Sequence, residues 1–211
     1  MKSARWIWVG LVVLIYLFFW SWHGGEDKPL TEEEGAELIQ QMEEAYGRKL
    51  EEAPEGSMIS NLHKMIPNDD GREFYAVNLE QLRMGPAAEA ADRRYAEMVL
   101  PEILKRGGYP IFLGNRAGQM LGVYGKDVDR VAVIRYRSLR DLFDMILAPE
   151  MQSGSPLKFA SLDHTEVFIV RPVVSFVQVR QLVGLILFIV ALGGFRLISR
   201  LQKRERNVAK P

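Results

Sequence analysis

The sequence predicts an α+β protein in which a water-soluble domain of roughly 150 residues is held between two transmembrane helices. Three observations predict it. An uncharged apolar run lies near each end of the 211-residue chain. Between them, β-branched runs alternate with stretches of three- and four-residue apolar spacing. Charge is segregated: His23 to Pro172 carries 18 Lys/Arg against 26 Asp/Glu, whereas the two ends hold the other 9 basic residues and a single acid, Glu205.

The first apolar run, Trp6–Trp22 (WIWVGLVVLIYLFFWSW), contains no charge. Seventeen helical residues rise about 26 Å, close to the roughly 30 Å hydrocarbon core. Its paired tryptophans, Trp6/Trp8 and Trp20/Trp22, suit the two membrane interfaces. A cleaved signal peptide would have a shorter apolar core and small residues at its exit. Here the exit reads Phe-Trp-Ser-Trp-His, so an uncleaved anchor is expected. The second run extends from Phe176 to Ile198 around the uncharged core Leu182–Phe195, with Arg180 and Arg196 near its ends. Both arginines can extend toward headgroups. Leu182–Phe195 is apolar on every side rather than along one stripe, so a membrane span is expected in place of a buried helix of the soluble domain.

Lys2 and Arg5 precede the first run, and Arg200, Lys203, Arg204, Arg206 and Lys210 follow the second. Basic flanks favour the cytoplasmic side. Both termini are therefore expected in the cytoplasm of a two-pass protein of the plasma (inner) membrane, with the acidic middle in the periplasm or outside the cell. A neutral chain without a basic face is not expected to bind nucleic acid. With no cysteine there is no disulfide framework, thiolate nucleophile or zinc–thiolate site.

The expected divisions are 1–25 for the tail and first transmembrane helix, 26–71 for a helical lead-in, 72–172 for the α+β domain, 173–199 for the second helix and 200–211 for a basic cytoplasmic tail. In the lead-in, Gly24-Gly25 ends the first helix. Thr31-Glu32-Glu33-Glu34 forms a capping box. Leu38, Ile39, Met42, Ala45, Tyr46 and Leu50 then mark an amphipathic helix to about residue 53, stopped by Pro54 and Gly56. A shorter helix, Met58 to Ile66, ends at Pro67, and Asn68-Asp69-Asp70-Gly71 is turn chemistry.

Phe74–Leu79 reads as a strand, and Ala87–Arg106 as a helix that Pro101 should kink or split. Gly107-Gly108 ends that helix. Tyr109–Leu113 is a second strand, with Gln119–Tyr124 an extension across a Gly114–Gly118 turn. Arg130–Tyr136 is a third strand. Ser138 caps a helix to Leu147 with Asp141 at its third position. Ala148–Leu162, containing Pro149, Gly154 and Pro156, reads as a long loop, and His164–Arg171 as the last strand. The order is βαββαβ, the ferredoxin-like arrangement of one antiparallel sheet with its helices on one face.

Asn78-Leu79-Glu80-Gln81-Leu82-Arg83, Tyr95–Gly108 (YAEMVLPEILKRGG) and Val131–Met145 (VAVIRYRSLRDLFDM) follow in this order. In these segments the chain resembles the small dimeric α/β-barrel proteins, in particular a family of uncharacterised bacterial domains of unknown function. The resemblance covers about residues 72–172 and leaves out the lead-in and the two apolar runs. It implies a homodimer whose sheets face each other. Relatives in the wider superfamily include cofactor-free monooxygenases, isomerases and dehalogenases that use a cleft between sheet and helices.

Asn78, Arg83, Tyr95, Arg135 and His164 are the groups that could reach such a cleft. His164 is of the residue type that general acid–base work most often uses, but a strand-end histidine is also an ordinary solvated residue. Arg135 stands in an apolar strand. Turned inward it needs a partner or an anionic ligand, and at the rim it is merely solvated. Asn78, Arg83 and Tyr95 are candidate ligand-binding groups, Tyr95 also fitting the core stripe of its helix. His23, His63 and His164 show no metal-ligand spacing. Gly114–Gly118 is no phosphate loop, and Ser153 and Ser155 form no nucleophile elbow. No cofactor or metal is therefore expected. The expected partners are the lipid bilayer, a second copy of the chain and a small-molecule ligand. The function expected is that of a membrane-anchored extracytoplasmic binding or interaction module, with a cofactor-free enzyme acting on a small, lipophilic compound as the alternative.

Overall fold

The computed structural model describes residues 3–24, 28–175 and 177–208. Lys2, Gly25, Phe176 and Lys210, which enter the sequence expectations, lie outside the described residues, as do the side chains of Arg204 and Arg206. The chain divides into two compact units, one made of residues 1–23 and 174–211, the other of residues 24–173.

The first unit pairs α1 (Ser3–His23) with α7 (Val179–Val208). Both are long and apolar enough to cross a membrane, and their apolar side chains are largely uncovered. Glycines on α7 admit aromatic side chains from α1. A Cβ at Gly194 would fall 2.2 Å from Trp8 Nε1, and one at Gly184 3.3 Å from the Tyr16 hydroxyl. Small residues let two helices approach this closely. Arginines tie the pair at both ends. Arg5 donates to Ser199 Oγ at 3.2 Å and lies over the Phe195 ring. Arg180 Nε donates to His23 Nδ1 at 3.0 Å, its guanidinium 4.5 Å from the Trp20 ring centroid.

In the second unit, α2 (Glu32–Tyr46) starts at the expected capping box, with Glu34 N donating to Thr31 Oγ1 and Thr31 N donating to Glu34 Oε2. It ends earlier than residue 53, because Gly47 takes up a left-handed conformation at φ 63° that favours glycine and closes a helix. Its Leu50 survives only as part of a short 3-10 turn, Leu50–Glu52. Helix α3 (Met58–Met65) follows, then β1 (Phe74–Leu82) and α4 (Pro86–Lys105), which runs unsplit through Pro101. Strands β2 (Tyr109–Asn115) and β3 (Arg130–Tyr136) lead to α5 (Leu139–Ile146), capped as expected by Ser138 Oγ, which accepts from Asp141 N.

Two further segments depart from the sequence expectation. Gln119–Tyr124 is not strand, since pairing stops at Asn115↔Arg130 and residues 116–129 form an irregular arm. Residues 149–161 are not a loop but α6 (Pro149–Ser161), which precedes β4 (Leu162–Val170). Pro149 occupies the first helical turn, where no amide hydrogen bond is lost. Packing of α6 along α4 outweighs the poor helix propensities of Gly154 and Pro156.

The four strands form one antiparallel sheet in the order β2-β3-β1-β4, the ferredoxin-like strand order, with α6 added to the expected βαββαβ succession between α5 and β4. Alternate residues of β1 face opposite sides. Phe74 and Ala76 face the helices and share one core with Val99 and Ile103 of α4 and Leu139, Leu142 and Phe143 of α5. Leu30, Ile39, Met42, Ile59, Leu62 and Ile66 join the same core, so α2 and α3 pack on the sheet–helix layer and do not stand off from it. The opposite face keeps Phe112, Phe168 and Val170 at 55, 48 and 38 % exposure.

Candidate functional site

The helix-facing side of the sheet changes character along β1. Phe74 pairs with Tyr136 and Ala76 with Ile134, Asn78 with Ala132, and Glu80 with Arg130. The row runs from apolar to charged, and the charged end lies beneath α4 and α6. There Arg130 Nε donates to Glu80 Oε2 at 2.6 Å, and both terminal nitrogens of Arg130 donate to Asp92 at 2.7 Å in a bidentate pair. The planar guanidinium fork matches two carboxylate oxygens. Hydrogen bonding from Arg130 holds the Asp92 carboxyl below its usual range, and Asp92 and Glu80 together raise the Arg130 pKa, Asp92 foremost.

One turn beyond Asp92 on α4 stands Tyr95. Burial, then the negative charge of Glu80 and the neighbouring Tyr46 and Asp92, pushes its phenol up to about 12. It therefore keeps its proton at neutral pH. Lys158 of α6 places its ammonium 5.9 Å from the Tyr95 ring centroid. Desolvation lowers the Lys158 pKa, against the pull of Glu80. Tyr46, whose hydroxyl donates to Ile146 O at 2.8 Å, and buried Tyr136 are likewise held protonated by burial. The result is a layer of two carboxylates, two cations and phenols between the sheet and α4/α6. Arg130 is committed to both carboxylates. Lys158 is the group here whose charged form burial disfavours.

The residues expected from sequence are not gathered in one place. Asn78 and Tyr95 belong to this inner layer. Asn78 is buried, and its amide donates to Ala132 O at 3.2 Å and Ala76 O at 3.3 Å. Arg83 lies past the polar end of the layer, ion-paired to Asp163 at 2.9 Å with both side chains about half exposed. Arg135 and His164 are on the opposite, open face, since they pair with Tyr75 and Gln81. Six residues of strand separate those rows, roughly 20 Å, and the two side chains do not converge. Arg135 is fully buried: it is bound to Glu73 through Nε at 2.8 Å and a second nitrogen, donates to Gly107 O at 2.8 Å, and lies against the Tyr109 ring. His164 has its side chain 65 % exposed, 3.7 Å from Glu166.

Sequence reasoning missed Glu80, Asp92, Arg130 and Lys158. Glu80 and Arg130 were visible as charges on the apolar-facing phase of two strands, and Asp92 as the residue three before Tyr95 on one helical face. Lys158 gave no signal, because its segment reads as loop. Among the described residues no group of His, Cys, Asp or Glu is placed to hold a metal ion.

Comparison with known proteins gives fold relatives only. No family model matches the chain, and no curated protein matches it. A crystal structure of a protein of unknown function from Rhodopseudomonas palustris is 19% identical, with a TM-score of 0.50, covering 58% of this chain and 97% of that one. The methylated form of that protein gives 17% identity and a TM-score of 0.51, covering 59% and 96%. More distant at a TM-score of 0.35 is a dimeric ferredoxin-like protein of unknown function from Bacteroides fragilis, 11% identical and covering 47% and 96%. At that distance it has no bearing on this chain's assembly. The resemblance seen in the sequence thus holds for the fold, which this chain shares with uncharacterised proteins across nearly their whole length.

Proposed function

We propose that this chain is a bilayer-anchored module, two-pass with both termini in the cytoplasm, whose ferredoxin-like unit pairs with a second copy through its open sheet face and serves as an extracytoplasmic binding surface. The observation that carries the anchoring is the helix pair α1–α7. Its apolar side chains face outward on helices long enough to cross a membrane, which water penalises and lipid does not. The pairing is supported by Phe112, Phe168 and Val170, apolar groups left uncovered on a sheet whose other face is the core. The proposed divisions follow the same logic: anchors 1–25 and 173–199, lead-in 26–71, module 72–172 and cytoplasmic tail 200–211.

An alternative, a cofactor-free enzyme acting on a small lipophilic compound, draws on Lys158, whose loosened proton lies beside the Tyr95 phenol in the sheet–helix layer. His164 and Arg135 lend it no support, since they do not converge. Membrane fractionation with an alkaline wash and a reporter active only outside the cytoplasm, inserted between Gly118 and Gln119, test the first reading. Retention in the membrane and an active reporter are expected. Release by the wash, or a silent reporter alongside a cytoplasm-active control that works at the same position, would overturn it.

A further inference from the structure

The connection between β2 and β3, residues 116–129, is braced from within yet turns its apolar side chains outward. Arg116 N donates to Asp129 O at 2.7 Å, and the Arg116 guanidinium donates to Lys126 O at 2.6 Å. The Gln119 amide donates to the carbonyls of Leu121 and Gly122 at 2.9 and 3.2 Å. Its base is tied to β1, where Asp129 N donates to Glu80 O at 2.8 Å and the Asp129 carboxylate accepts from Leu82 N at 2.9 Å. From this frame Met120, Leu121, Val123 and Tyr124 project at 98, 87, 72 and 101 % exposure. Solvated loops present polar groups, and a cluster of large apolar side chains in water marks an interaction surface.

We infer that this arm docks on a second copy of the chain, its apolar tip covering part of the partner's open sheet face. The inference rests on the dimer reading above and names the contact that completes it. Area is the first argument. Of the open face, Phe112, Phe168 and Val170 are already about half covered within their own protomer, and Tyr75 and Arg135 are fully buried. A stable interface needs on the order of 800 Å² from each partner. Transfer scales assign roughly 60–120 Å² of apolar area to each large side chain, so the four tip residues would add about 250–500 Å² to what the sheet face offers. Continuity is the second: β2, which carries Phe112 on the open face, runs directly into the arm. Charge is the third. The arm holds Arg116 and Lys126 against Asp127 and Asp129, without the basic excess that favours anionic lipid.

The absence of cysteine from the chain makes the test direct. Full-length Leu121→Cys and Phe168→Cys chains are co-expressed with different tags and treated in nanodiscs with a short bis-maleimide. The self-association of wild type and of a Met120→Ser/Leu121→Ser/Tyr124→Ser variant is measured by sedimentation in detergent. A dimeric wild type, a mixed-tag cross-link and at least a tenfold weaker dimer for the serine variant are expected. The arm residues are solvent-exposed, so the variant keeps its fold, checked by circular dichroism. A dimeric wild type with no mixed cross-link and unchanged association of the variant overturns the arm contact and leaves the dimer standing. A monomeric wild type overturns both. A polarity-sensitive dye on Leu121→Cys that reports an apolar setting in nanodiscs at every protein dilution assigns the arm to lipid and overturns the inference.

Discussion

Replacing Arg135 with methionine tests whether this side chain is a structural tie or a ligand-binding group. It is fully buried on the sheet face turned away from the helices, which is covered at this end, and is held by Glu73 and by the Gly107 carbonyl at the end of α4. Removing it orphans that carbonyl, at about 1–3 kcal/mol, and deletes charge-assisted hydrogen bonds worth about 1.5–3 kcal/mol. Breaking a buried ion pair from one side costs about 3–5 kcal/mol when the remaining charge stays dry. The Glu73 side chain is 30% exposed and regains water, so the expected loss is near the lower end, about 3 kcal/mol. Against a domain stability of about 5–15 kcal/mol, that is a large fraction. With a urea slope of about 1–3 kcal/mol/M, the unfolding midpoint falls by about 1–3 M. The assay is urea unfolding of the full chain in detergent, followed by far-ultraviolet circular dichroism. Arg135→Lys keeps the charge but loses the fork, and should forfeit roughly half as much. A methionine variant within about 0.5 kcal/mol of wild type would refute the structural reading and return Arg135, with His164, to the candidate catalytic residues.

Glu34, hydrogen-bonded by the Arg140 side chain and the Thr31 amide, has its carboxyl lowered to about 2. A depressed folded-state pKa stabilises above the ordinary value of 4.5, and that contribution is lost as pH falls from there through about 2. Carboxyl carbon shifts should titrate near 2 in wild type and move toward 4.5 in Arg140→Ala. In the helix pair, Gly194→Leu drives a side chain into Trp8. Overpacking of about 1–3 kcal/mol and a shifted Trp emission are expected, with Gly193→Leu, where a Cβ meets nothing within 4 Å, as the silent control. Lys158 carries a lowered pKa, so its ammonium destabilises the fold below that pKa. Stability recovers as pH rises from there toward the ordinary value of 10.5. Pulse acetylation should label Lys158 at lower pH than exposed lysines once accessibility is normalised, and Lys158→Met should flatten the alkaline rise in stability.

Periodicity, caps and breakers along the chain were enough for the two apolar helices, the capping box at Thr31, the Ser138 cap and the four strands with α4 and α5 between them, because each depends on neighbours within a few residues. Where local and distant forces disagreed, tertiary packing prevailed. Residues 149–161 carry loop-forming Gly154 and Pro156, yet they form α6, packed along α4. Residues 119–124 have the composition of a strand but find no partner strand and form the arm. The same holds for the chemistry. Strand register put Arg135 and His164 at opposite ends of the open face and set Glu80 beside Arg130, and the packing of α4 and α6 brought Asp92 and Lys158 to them. A residue's type announces what it can do, but the long-range pairing of strands decides what it meets.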